Sequence, residues 1–165
     1  MAPRPCRFTA DPALGVGQPR HCNSEVWSSA NGVEWVLECA EAPWEGRHCG
    51  GYCVHGGRLW IVGGDANQGH YQPDVWSSAD GKEWERACAS APWGARGRIA
   101  QVVLAHAGAI FVLGGQNFPE WQTSFGVKTP AAPQAYYGDV WRSENGADWE
   151  QVASDCPWAP RGYIG

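Results

Sequence analysis

Apolar residues along this chain gather in short runs that end in paired glycines. Leu59 to Val62 is followed by Gly63-Gly64, and Ile110 to Leu113 by Gly114-Gly115. Both runs are rich in β-branched and aromatic side chains, and neither is long enough for a helix, so each predicts a buried strand. Upstream of each lies a second extended stretch, with His55-Gly56-Gly57 and His106-Ala107-Gly108 marking the tight turns between. No 3.6-residue periodicity is found, and the glycines and prolines would interrupt one.

The polar and aromatic positions repeat as well. Three 24-residue segments align without a gap: SEVWSSANGVEWVLECAEAPWEGR from Ser24, PDVWSSADGKEWERACASAPWGAR from Pro73 and GDVWRSENGADWEQVASDCPWAPR from Gly138. All keep Val-Trp, a Ser, an Asx-Gly turn, a second Trp, Pro-Trp and a final Arg. The middle copy predicts a strand from Asp74 to Ser78, a turn at Ala79-Asp80-Gly81 and a strand from Trp84 to Cys88. Two strands from the apolar run and two from the repeated phrase make a unit of four antiparallel strands.

A repeated four-stranded unit of about 50 residues is the pattern of a propeller blade. The chain resembles the kelch repeat in particular: a Gly-Gly ends the second strand, an aromatic follows about a dozen residues later, and a Trp stands eight residues beyond it. Trp76 and Trp84 hold those places after Gly63-Gly64, and Trp141 and Trp149 after Gly114-Gly115 across a longer loop. The resemblance implies an all-β fold, a segment of a β-propeller with velcro-like closure, and a binding role rather than a chemistry. It gives an N-terminal segment 1–23, with Leu14 to Gly17 as a remnant strand. A partial blade follows at 24–47, then blades at 48–96 and 97–159 and the start of another at 160–165. Two complete blades fall short of the four to eight that close a ring. The chain is therefore expected to be a piece of a longer protein, or else a partial ring that self-associates through its open blade edges. The paired Trp residues of each phrase are expected to fill the gap to a neighbouring blade, contributing roughly 1.5–3 kcal/mol each.

Composition narrows the partners. Eleven Trp residues in 165 suit repeated structural slots, and 44% hydrophobic residues suffice for a core. A formal charge of −5 without a Lys/Arg run argues against nucleic acid, and no apolar stretch is long enough to span a bilayer. MAPRPCRFTA lacks the apolar segment of a secretory signal, which points to the cytoplasm. Seven cysteines without a C-x-x-C are read as reduced, and Cys39 and Cys88, at equivalent places, as small buried side chains.

The connections between second and third strands share one face with the links between blades. Each copy puts an Arg there after Pro-Trp: Arg47, Arg96 and Arg161. Three guanidiniums around a channel would hold a carboxylate or phosphate. The alternatives are ion pairs to Glu25, Asp74 or Asp139, or stacking on Trp44, Trp93 or Trp158. On the same face DANQGHYQP in one blade is replaced by QNFPEWQTSFGVKTPAAPQAYYG in the next. Phe118, Trp121, Phe125, Tyr136 and Tyr137 of this loop suit a protein interface or sugar stacking, or fold over their own blade edge.

Catalytic readings are weaker. Ser77, Gly81 and Trp84 keep the spacing of a sialidase Asp-box, but Ala79 stands where the Asp belongs and Asp80 comes one place late. His48, Cys49, Tyr52, Cys53 and His55 gather the residue types of a copper-radical oxidase site, yet read better as an inner strand with buried thiols and a turn histidine. The expected function is a non-catalytic protein-binding module without a cofactor, neither nucleic-acid- nor membrane-directed. A carbohydrate-binding or carbohydrate-active propeller, sialidase-like or oxidase-like, is the alternative.

Overall fold

A computed structural model describes residues 22–65, 71–93, 101–117 and 135–162. Within them the chain is all-β, with ten antiparallel strands in three separate sheets and no helix. β1 (Val26–Ser28) and β2 (Val36–Cys39) pair alone. β3 (Gly51–His55), β4 (Arg58–Val62), β5 (Val75–Ser78) and β6 (Glu85–Cys88) form an up-and-down sheet in chain order. β7 (Val102–His106), β8 (Ala109–Leu113), β9 (Val140–Ser143) and β10 (Glu150–Ala153) form a second one. The three copies of the phrase are thus β1–β2, β5–β6 and β9–β10, each in its own sheet. The strand expected around Leu14 to Gly17 lies outside the described residues.

Local chemistry sets each connection. The β3–β4 turn is two residues, Gly56 and Gly57, at φ +58° and +71°, and the β7–β8 turn is Ala107 and Gly108 at +47° and +78°. Two positive φ values in a two-residue loop match strand twist. The histidines placed in these turns by the sequence instead end the preceding strands. Gly63-Gly64 and Gly114-Gly115 also have positive φ throughout, between +57° and +116°, which side chains with a Cβ rarely adopt. That requirement accounts for the paired glycines after each apolar run.

The turn inside the repeated phrase is the same three times. Gly32, Gly81 and Gly146 each donate their N–H, at 2.8 Å, to Ser29, Ser78 and Ser143 respectively. Asn31, Asp80 and Asn145 each accept two backbone N–H groups just beyond, at 2.9–3.1 Å. Ser78, not Ser77, therefore holds the turn; Ser77 instead accepts from Arg58 Nε at 3.2 Å. The Asp-box spacing noted from Ser77 is replaced by a tighter Ser-x-Asx-Gly turn. A bulge recurs too: Val26 faces Cys39 but Trp27 faces Leu37, with equivalent register shifts before Trp76 and at Ala153.

The second sheet is covered on both faces, which explains its uninterrupted apolar run. Ile61 of β4 points to one face and joins Ala42, Trp44 and Trp76. Trp60 and Val62 point to the other and join Val75, Ala91, Trp93, Ile110 and Val112. The first strands of the two large sheets, β3 and β7, also lie together. A Cβ on Gly51 would come within 2.0 Å of Val103 Cγ2, so the bare glycine allows that approach. At the other end a Cβ on Gly146 would meet the Trp60 ring at 2.0 Å.

The paired Trp residues of the second and third phrases pack at these joints around a third indole, whereas Trp27 and Trp35 of the first are exposed. Trp44 stands 6.3 Å from Trp76 and 4.2 Å from Trp84, both edge-to-face. Trp93 stands 5.7 Å from Trp141 and 4.7 Å from Trp149 in the same manner. The Trp of each of the first two Pro-Trp motifs, Trp44 and Trp93, is thus a wedge clasped by the Trp pair of the next copy. Such edge-to-face pairs add about 0.5–1.5 kcal/mol beyond the area they bury.

Candidate functional site

The β8–β9 connection leaves the sheet at Gly114-Gly115 and returns through Ala135–Asp139. Its described ends are zipped together. Asn117 N donates to Ala135 O at 3.1 Å, Gln116 bridges Tyr136, and Tyr137 N donates to Gly115 O at 2.9 Å. The Asn117 side chain accepts from Ala135 N. Arg161 is stitched onto the same base: its N–H donates to Tyr137 O at 3.2 Å and its carbonyl accepts from Gly115 N at 2.9 Å. Tyr136, Tyr137 and Arg161, far apart in sequence, therefore stand together. Tyr136 and Arg161 are exposed and Tyr137 is buried. Phe118, Trp121 and Phe125 of the loop, and Arg96, lie outside the described residues.

Beneath this face lies a layer of buried polar side chains: Asp65, Gln101, Gln116 and Asn117. Gln101 Nε2 donates to Val62 O at 2.9 Å and ties the third sheet to the second. Gly162 packs directly on Gln116, where a Cβ would lie 2.2 Å from Oε1. The sequence reading missed this layer. Its one signal was a polar residue directly after each Gly-Gly, Asp65 and Gln116.

Arg47 has a different environment from Arg161. It is buried, and its guanidinium forms a bidentate pair with Asp74, the Nη2–Oδ2 leg at 3.3 Å. Nη1 also donates to Gly63 O at 3.2 Å, and Nε to Glu45 O at 3.0 Å. Asp74 in turn accepts from Trp76 Nε1 at 2.7 Å. The carboxylate that meets Arg47 thus comes from the next copy of the phrase. Arg161 repeats the local half of this pattern, Nε donating to Ala159 O at 2.9 Å, with its guanidinium exposed.

The histidine–cysteine cluster divides between environments. Cys49 precedes β3 in a left-handed conformation, φ +52°, so it does not share the strand alternation expected of it. Cys53 packs into the joint with the third sheet, and burial pushes its thiol up to about 11. His55 Nε2 lies 2.9 Å from Glu144 O, across the joint. His48 Nδ1 lies 3.5 Å from Cys22 Sγ, the closest thiol–imidazole pair described. Burial, then Asp65 and Cys49, raise the Cys22 thiol, which keeps it protonated and a poor nucleophile. Among the described residues no group of three or more His, Cys, Asp or Glu could hold a metal ion.

An open groove of about 460 Å³ lies at the hairpin end, between His55, Arg58 and Arg86 on one side and Glu144 and Asn145 on the other. Arg58 is engaged there by Glu85 and Ser77. This groove offers mixed charge without a convergent set of donors.

No protein-family model and no curated protein matches the chain. Among solved structures it is similar to one titled "Structure of YjhT", with a TM-score of 0.63 at 18% identity. The match covers 81% of this chain and 39% of the other, and it is a likeness of fold.

Proposed function

We propose that the chain is a run of kelch-type β-propeller blades serving as a non-catalytic protein-binding module. In this reading β3–β6 and β7–β10 are whole blades and β1–β2 the outer half of a third. Successive sheets stacked face to face through one recurring indole joint, with their first strands side by side, support the blade assignment. The observation that carries the binding role is the convergence of Tyr136 and Arg161 at the base of the aromatic loop. Tyr136 and Arg161 are both exposed on this backbone-bonded loop base, and the pair suits a protein surface because Tyr and Arg anchor interfaces. In sequence, the loop that joins these ends also carries Phe118, Trp121 and Phe125. The described cysteines are free thiols, which suits the reducing cytoplasm.

The test is a parallel screen of the purified chain on a protein array and a glycan array. The reading expects protein ligands whose affinity falls about tenfold or more in Tyr136→Ala and Arg161→Glu, the scale of an interface anchor. Glycan binding without a protein ligand would overturn it in favour of a carbohydrate-directed propeller. Protein binding indifferent to both substitutions would overturn the choice of face.

A further inference from the structure

The two inner joints are built alike, and each has a donor side and an acceptor side. The donor side supplies the Pro-Trp wedge, followed by an Arg. The acceptor side supplies two indoles and a carboxylate that receives the first indole's N–H. At the first joint these are Trp44 and Arg47 against Trp76, Trp84 and Asp74. At the second, Trp93 meets Trp141 and Trp149, and Asp139 accepts from Trp141 Nε1 at 2.8 Å.

The chain carries one more of each half. β1–β2 presents an acceptor side already set: Trp27 Nε1 donates to Glu25 at 2.9 Å, as Trp76 does to Asp74. Trp35 Nε1 donates to Gly32 O at 3.3 Å, as Trp84 does to Gly81 O at 3.1 Å. The third copy presents a donor side already set, with Arg161 Nε on Ala159 O as Arg47 Nε is on Glu45 O. Burial separates these halves from the joined ones. Trp44 and Trp93 are 7% and 5% exposed, whereas Trp158 is 39%, Trp27 42% and Trp35 58%. One end thus bears an open wedge with a cation, and the other an open clasp with an anion.

We propose that the chain associates head to tail with a second copy of itself, Trp158 and Arg161 of one copy seating on Trp27, Trp35 and Glu25 of the next. Shape matches the indole joint that the described residues build twice, and charge matches the Arg47–Asp74 pair of the first joint. β1–β2 has no described counterpart of Ile61, which completes the first inner joint, so the contact between copies is smaller and its formation depends on concentration. A contact between two different surfaces of one molecule is heterologous, so it extends to rings or short polymers rather than stopping at a symmetric dimer. Arg161 is shared with the proposed binding face, so the two readings are separated by Trp158, Trp27 and Trp35, which belong only to the joints, and by a readout taken with no other protein present.

Sedimentation velocity over a concentration series tests it. The wild-type chain should gain mass as concentration rises. Trp158→Ala should remain monomeric, and so should the double variant Trp27→Ala/Trp35→Ala. Mixed, these two should form a one-to-one complex and nothing larger, because each keeps one intact end. Should the double variant fail to fold by circular dichroism, Glu25→Arg and Arg161→Glu take its place. Each alone should weaken association about tenfold, and one molecule carrying both should recover it. A wild-type monomer throughout, oligomers unmoved by these variants, or no recovery by the paired charge swap overturns the proposal.

Discussion

Asp74→Ala should destabilise the chain far more than a carboxylate at a strand start would ordinarily suggest. The substitution removes both legs of the pair to Arg47 and the acceptor of the Trp76 N–H. It leaves a guanidinium whose side chain is 2% exposed facing only the carbonyls of Gly63 and Glu45. Breaking one side of a buried ion pair costs about 3–5 kcal/mol, because the remaining charge is stranded out of water. Arg47→Met should cost a similar amount from the other side. The double variant Arg47→Met/Asp74→Ala strands no charge and loses only the acceptor of the indole N–H. It should therefore recover most of the loss, with a coupling of about 2 kcal/mol or more. Urea denaturation followed by tryptophan fluorescence measures all four proteins. Single losses under about 1 kcal/mol, or a double variant equal to the sum of the singles, would refute the reasoning. That result would turn the Arg47 guanidinium away from Asp74 and toward the channel, the other reading of its position after Pro-Trp.

Other outcomes follow from individual contacts. Gly146→Ala should cost about 1–3 kcal/mol, because its Cβ overlaps the Trp60 ring, whereas Gly32→Ala, with a similar φ and nothing within 4 Å, should cost about 1 kcal/mol; thermal melts compare them. The backbone N–H groups of Lys82 and Glu83 lower the Asp80 carboxyl. A carboxyl held low in the folded state stabilises it above the ordinary aspartate range and loses that contribution as pH falls through the lowered value. Asp80→Asn, which copies Asn31 and Asn145, should keep the turn while flattening this part of the acid-side decline in stability. Cys53, with its thiol near 11, should carry about one thiolate per thousand molecules at pH 8. Its alkylation by iodoacetamide should be slow until the chain is unfolded; rapid labelling of the folded chain would contradict its place in the joint.

Much of the fold could be read from the chain because repetition made equivalent residues visible. The apolar runs ending in Gly-Gly and the Asx-Gly turn placed β4, β5, β6 and β8 within one residue of their ends. Repetition did not say which neighbour each residue meets. Trp44 and Trp93 were considered as platforms for an arginine, because nothing local shows that a wedge is clasped by the following copy rather than its own. Arg47 and Asp74 are 27 residues apart, a pairing that only the stacking of sheets creates. The cysteine cluster was misjudged at Cys49, whose positive φ takes it out of the strand alternation. At the candidate site, Tyr136 and Tyr137 looked alike in sequence, and the backbone bridge at Gln116 leaves the first outside and the second buried.

Trp44 and Trp93 are each held by the copy that follows their own. A double-mutant cycle between Trp93 and Trp149, beside one between Trp93 and Trp84, tests this most directly. Coupling of about 0.5–1.5 kcal/mol in the first cycle and near-additivity in the second is the predicted result. Coupling between Trp93 and Trp84, the tryptophan of its own copy, with none to Trp149 would contradict it.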